Sequence, residues 1–117
     1  MSLTLIFRLN AAFAALWGLQ LVFVPSMVFA QYGWTYSVEL VAIALACGTA
    51  MSSLAIISWM TPTWTDEAQL KKAALWFAIT AALFTLMQAY QFTGLAMDYV
   101  STGITIIFMI AFYMKSK

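Results

Sequence analysis

The chain has 117 residues, of which 65% are hydrophobic and 8% are charged, and its formal net charge is +1. A soluble domain has about 45–50% apolar and about 25% charged residues, so this composition excludes an ordinary soluble surface. The near-neutral charge also provides no basic surface for nucleic acid. The composition therefore predicts an integral membrane protein that is surrounded by membrane lipids.

Histidine and cysteine usage limits the chemistry that the chain can perform. There is no histidine, and Cys47 is the single cysteine. This excludes an internal disulfide and a cysteine-cluster metal site, and it removes the usual general base near neutral pH. We therefore predict a protein that is not an enzyme, with no catalytic or metal site. We also predict no cofactor, although contact with a lipid, a quinone or a pigment stays open.

Four apolar segments follow one another along the chain. They cover about residues 3–29, 38–60, 70–92 and 99–114. Each approaches the roughly 20 residues that a helix needs to cross about 30 Å of hydrocarbon, and in lipid only helices of this length satisfy their own backbone. The helix-breaking residues fall at segment ends or in connections: Pro25, Gly33, Pro62 and Gly94. We predict an all-α, four-helix transmembrane bundle that forms a single domain over residues 1–117.

The first segment has a second interpretation as a signal peptide, because Val28, Phe29 and Ala30 resemble a cleavage site. Its apolar stretch is longer than the core of about 7–15 residues that signal peptides have. We therefore expect a membrane span instead.

The positive charges predict the orientation. They lie near the N-terminus, in the second connection and at the C-terminus: Arg8, Lys71, Lys72, Lys115 and Lys117. With four spans, these three regions share one side of the membrane, which the positive-inside rule makes cytoplasmic. We predict that both termini are cytoplasmic and that the membrane is the bacterial inner membrane.

The four acids fall at predicted helix starts, where the positive end of the helix dipole favours them. The predicted caps of the second, third and fourth helices are Ser37, Thr65 and Asp98. Glu39 then lies in the first turn of the second helix, and Asp66 and Glu67 begin the third. The stretch from Trp64 to Lys72 is thus predicted to be a cytoplasmic turn, with Trp59, Trp64 and Trp76 as interfacial anchors.

Two polar groups are candidates for contact with a ligand or a partner. Arg8, about one turn inside the first helix, and Asn10 could bind an anion, a headgroup or a partner carboxylate. Arg8 could equally extend to lipid phosphates or pair with Asp66 or Glu67. Glu39 and Asp98, both predicted on the outer side, could bind a cation or relay a proton, or they could simply be helix-start acids.

Glutamines form a third candidate group, late in the first and third helices. Gln20, Gln88 and Gln91 could donate hydrogen bonds between helices or line a polar cavity. Small residues spaced four apart identify packing faces: Ala14 and Gly18, then Ala44, Gly48 and Ser52, then Ala74, Ala78 and Ala82. We expect the second helix at the centre of the bundle, with Cys47 as a buried, inert thiol.

The stretch FRLNAAFAALWGLQLVFVP, from Phe7 to Pro25, resembles the first helix of small four-helix bacterial membrane proteins of the DoxX-like kind. The matching features are an early arginine, a mid-helix glycine and a proline at the outer end, here Arg8, Gly18 and Pro25. The rest of the chain resembles them in its hydropathy pattern alone. The resemblance implies the fold rather than an activity, because that group is functionally diverse.

Two functions remain open. The first is a non-catalytic accessory or assembly subunit that packs against other subunits of a larger membrane complex, energy-converting or oxidising. The second is a small transporter or channel, which would require a homo-oligomer because four helices leave little room for a pore.

Overall fold

The computed structural model describes residues 2–92 and 94–117. Within these residues there are five helices and no strand: α1 (Leu3–Phe23), α2 (Pro25–Tyr32), α3 (Val38–Trp64), α4 (Glu67–Tyr90) and α5 (Ala96–Lys115). All except α2 are long and apolar enough to cross a membrane. The predicted all-α class and its four apolar spans are confirmed, and these helices indicate an integral membrane protein.

The first predicted segment forms two helices instead of one over residues 3–29. α1 ends at Phe23, and Val24 leaves the helical conformation with φ −135° and ψ 55°. The residue before a proline disfavours the helical region, whereas Pro25 itself suits the first position of α2. α2 ends at Tyr32, and the next residue, Gly33, has a φ of 70°, a left-handed conformation that glycine adopts without strain.

The connection between the second and third spans is shorter than predicted, because Pro62 lies inside α3 and not after it. Prolines are tolerated in membrane helices where neighbouring groups satisfy the freed backbone. The predicted cap Thr65 is also wrong. Its hydroxyl donates to the Thr61 carbonyl at 3.2 Å, so it bonds back to the last turn of α3 and does not cap α4. Asp66 caps α4 instead, and its carboxylate accepts the Gln69 N–H at 2.8 Å.

The other two predicted caps have opposite outcomes. The Ser37 hydroxyl accepts the Leu40 N–H at 3.0 Å, so Ser37 is confirmed as the residue that caps α3. The cap predicted at Asp98 is wrong, because α5 begins at Ala96, three residues before the predicted start, and Leu95 occupies the cap position. Asp98 lies in the first turn of α5, where the helix dipole still favours a carboxylate.

The chain divides into two compact units. The unit that contains α4 and α5 comprises residues 2–7, 61–92 and 94–117. Its core surrounds Phe112, whose ring centroid lies 4.9 Å from Phe7 and 5.3 Å from Phe77. The buried members of this core are Ile6, Phe7, Leu70, Ala74, Ala78 and Phe112. Small residues on α4 thus lie beside large rings, while Ala82 is half-buried and outside the core.

The second unit comprises residues 8–60. It contains most of α1, all of α2 and most of α3. Near α2, the aromatic rings of Tyr32 and Trp34 stack with centroids 4.9 Å apart, and Tyr32 also approaches Trp17 on α1. These contacts hold the short helix α2 against α1.

Candidate functional site

Helices α1 and α3 are in backbone contact at two glycines. A methyl group added at Gly48 would lie 2.7 Å from the Gly18 carbonyl oxygen and 2.8 Å from Val22 Cγ2. The Ser52 hydroxyl donates to the Gly48 carbonyl at 2.8 Å and is therefore satisfied beside the contact. This crossing brings together three predicted packing residues, Gly18, Gly48 and Ser52. Ala44 is buried along the same helix, and Ala14 is half-buried.

A polar pair lies toward the N-terminal end of α1. The Asn10 amide donates to the Ser58 hydroxyl at 3.2 Å, and Ser58 is only 1% exposed. Since Asn10 precedes Gly18 whereas Ser58 follows Gly48, α1 and α3 run antiparallel. Sequence reasoning identified Asn10 but not Ser58, because a serine among apolar residues has no signal of its own.

Arg8 lies over the ring of Trp59, with the guanidinium carbon 5.0 Å from the ring centroid. This is the distance of a cation–π interaction, which is stronger where water is excluded. The Arg8 Nε atom is buried and has no hydrogen-bond partner among residues 2–92 and 94–117. The sequence identified Trp59 only as an interfacial anchor, whereas in the structure Trp59 contacts the candidate cation Arg8.

An apolar groove of about 490 Å³ lies between α1 and α3 beside this pair. Its lining includes the buried Ala11 and Ala55 and the exposed Leu19, Ile56 and Trp59. Because Trp59 contacts Arg8 and also lines the groove, the Arg8 cation lies at one end of the apolar groove.

A second face of α3 is exposed and consists of small residues: Ala42, Ala46, Thr49, Ala50 and Ser53. We name it the small-residue face. Ala46 and Gly48 are two positions apart, about 200° around a helix, so this face lies opposite the crossing with α1. The sequence carried its signal in the four-residue spacing of Ala42, Ala46 and Ala50, but reasoning from the sequence missed it.

Polar residues also cluster between α4 and α5. Asp98 is 8% exposed and Ser101 is buried nearby on the same helix. Gln88 lies eleven residues after Phe77, and Ser101 lies eleven before Phe112. Because eleven residues are about three turns and Phe77 contacts Phe112, Gln88 and Ser101 lie on facing sides of the hairpin.

Two atoms in this cluster, Gln88 Oε1 and Thr102 Oγ1, are buried and have no hydrogen-bond partner within the described part of the chain. Gln91, the other predicted glutamine, is exposed and caps the C-terminal end of α4. Glu39 is exposed in the first turn of α3, whereas Asp98 is buried. The two predicted carboxylates therefore have different surroundings.

Residues of the charged stretch from Trp64 to Lys72 line an open cleft of about 700 Å³. It brings Asp66, Glu67 and Lys71 together with the C-terminal Lys115 and Lys117. Charges of both signs line this cleft, so its carboxylates oppose the binding of an anion.

The predicted burial of Cys47 is wrong, since this thiol is exposed.

Comparisons with protein families, with curated proteins and with solved structures find no match to this chain. The resemblance to DoxX-like proteins therefore stays a prediction.

Proposed function

We propose that this protein is a non-catalytic accessory or assembly subunit, which packs against a larger energy-converting or oxidising complex in the bacterial inner membrane. The small-residue face of α3 carries this proposal. α3 has two faces of small side chains, and α1 covers only the one that contains Gly48. The other face is available to a helix of a partner subunit.

A face of small residues favours the association of helices in lipid. Helices in a bilayer gain no hydrophobic energy from each other, so their association depends on close van der Waals packing and on interhelical hydrogen bonds. Ala42, Ala46 and Ala50 would let a partner backbone approach closely. Large side chains at these positions would hold it away.

Two hydroxyl groups on the small-residue face also favour contact with a partner helix. Thr49 donates to the Leu45 carbonyl at 2.8 Å, and Ser53 donates to the Thr49 carbonyl at 2.9 Å. Both are therefore satisfied while the face contacts lipid. Their oxygens still have free lone pairs, which can accept hydrogen bonds from a partner helix.

The test is native mass spectrometry of the protein extracted from its own membrane in mild detergent. We expect wild type to carry other polypeptides, and Ala46→Leu to lose them because the added side chain blocks close approach. Ala89→Leu adds the same volume at an exposed position of α4 and should keep them. A wild-type particle that is a closed homo-oligomer, or a monomer with a small molecule, would refute the subunit role.

The buried cluster between α4 and α5 favours a second candidate, a small homo-oligomeric transporter or channel. Ionisable residues within membrane helices are costly and commonly mark ion or proton pathways. Asp98 is such a residue, and Gln88 and Thr102 add unpartnered polar atoms on the same hairpin. This arrangement favours Asp98 over Glu39 as the group that would carry a proton.

Proteoliposomes that contain a pH-sensitive dye test this candidate. If the protein conducts protons under an imposed potential, Asp98→Asn should lower the rate by about a hundredfold, since a positioned proton carrier is lost. Glu39→Gln is the matched control and should leave the rate unchanged, because Glu39 is exposed. Equal rates for Asp98→Asn and wild type would exclude Asp98 as the carrier.

A further inference from the structure

We infer that the groove between α1 and α3 binds an anionic phospholipid, with the lipid phosphate at Arg8 and one acyl chain along the groove. This goes beyond the proposed subunit role, because it assigns a ligand to a groove that no residue of the small-residue face lines. Three observations lead to it: the shape of the groove, the position of Arg8 and the partial exposure of the Arg8 side chain.

The cation and the groove lie on one face of α1. Arg8, Ala12, Ala15 and Leu19 are separated by four, three and four residues. At 3.6 residues per turn this spacing aligns them along one side of the helix. Arg8 therefore stands one turn beyond the apolar lining, in the place that a headgroup would take relative to its chain.

The dimensions fit one acyl chain. The lining on α1 runs from Ala11 to Leu19, which is about 12 Å at the helical rise per residue. One leaflet contributes half of the hydrocarbon core, or about 15 Å. The groove therefore follows a chain through most of one leaflet, and with both termini cytoplasmic this would be the cytoplasmic leaflet.

The charge selects the headgroup. The Arg8 guanidinium places one face on Trp59, and the residue as a whole is only half-buried, so part of its side chain stays accessible. An acyl chain cannot accept hydrogen bonds from a guanidinium, whereas phosphate oxygens accept from guanidinium N–H groups. A zwitterionic lipid also has a phosphate, but its own cation competes with Arg8, so an anionic lipid should bind better.

The test titrates the full-length protein in mild detergent with dioleoylphosphatidylglycerol or dioleoylphosphatidylcholine, and counts bound lipid by native mass spectrometry. Wild type should favour the anionic lipid by about fivefold, as expected for one cation beside a headgroup. Arg8→Gln should abolish this preference. Lys72→Gln removes an exposed cation that does not line the groove and should retain the preference.

A second variant tests the chain rather than the headgroup. Ala12→Leu fills the groove at an exposed position, so it should weaken both lipids by about threefold or more through lost contacts. Ala46→Leu adds the same volume at a position of α3 that does not line the groove, and it should leave lipid binding unchanged. Circular dichroism of each variant verifies folding.

Several results would overturn the inference. They are equal affinity of wild type for the two lipids, a preserved preference in Arg8→Gln, and full lipid binding by Ala12→Leu. Inorganic phosphate that displaces the bound species from Ala12→Leu and wild type alike would assign Arg8 to a free anion instead. None of these results depends on whether Ala46→Leu loses partner subunits, so the two proposals fail separately.

Discussion

Replacement of Gly48 with alanine should destabilise the protein by about 1–3 kcal/mol, the cost of overpacking a well-packed interior. The new methyl group would lie 2.7 Å from the Gly18 carbonyl oxygen and 3.0 Å from Leu21 Cβ. A backbone carbonyl cannot rotate away as a flexible side chain can. The helices α1 and α3 must therefore separate, and they lose contacts along the crossing.

Gly103→Ala is the matched control for this variant. Gly103 is also in a helix, but an added methyl group there meets nothing within 4 Å. Alanine is favoured over glycine in a helix, so this variant should be neutral or slightly stabilising. Unfolding by SDS in mixed micelles, followed by tryptophan fluorescence, compares the two. Equal midpoints for both variants would show that α1 and α3 do not pack closely in the membrane.

The number of spans could be predicted because bilayer thickness imposes a length on every apolar segment. The ends of the helices could not. Pro62 looks like a break in the sequence, but α3 continues to Trp64, since proline interrupts a membrane helix only when nothing satisfies the freed backbone. Pro25 does mark a boundary, because Val24 departs from the helical region.

The orientation of α3 about its axis was the hardest feature to predict. In a soluble protein, polar residues mark the outer face, but lipid and protein interior are both apolar. Cys47 therefore has the same sequence context whether it faces α1 or lipid. One residue corresponds to about 100° of rotation, which is enough to expose Cys47 while its neighbour Gly48 is buried.

The candidate sites depend on contacts between residues far apart in the chain. Arg8 was identified from its depth in the first span, but its partner Trp59 lies on α3. Ser58, likewise, acquires its role only by facing Asn10. The apolar composition of the spans predicts that such polar groups need hydrogen-bond partners within the protein, because lipid hydrocarbon provides none. Only the packing of α1 on α3 shows which partners they have and that a groove opens beside them.

Replacement of Phe112 with alanine should destabilise the protein by about 3 kcal/mol, the low end of the range for deleting a buried aromatic side chain. Phe112 is fully buried, and its ring lies within 6.2 Å of Phe7, Phe77 and Phe108 by centroid distance. Edge-on ring pairs such as Phe7 with Phe112 add to the packing energy. In a bilayer the loss comes from these contacts, because lipid solvates the ring about as well as the core does.

Phe23→Ala is the matched control, because Phe23 is 76% exposed and its removal leaves no cavity. The same SDS titration should give wild-type behaviour for Phe23→Ala and a lower midpoint for Phe112→Ala.

Phe112 and Gly48 lie in different compact units. If the chain unfolds as one cooperative body, both Phe112→Ala and Gly48→Ala move a single transition. If the units unfold separately, each variant lowers only its own transition, and variants that keep only Trp59 or only Trp76 would report the two units apart. A Phe112→Ala midpoint equal to that of Phe23→Ala would mean that this aromatic core does not stabilise the folded chain.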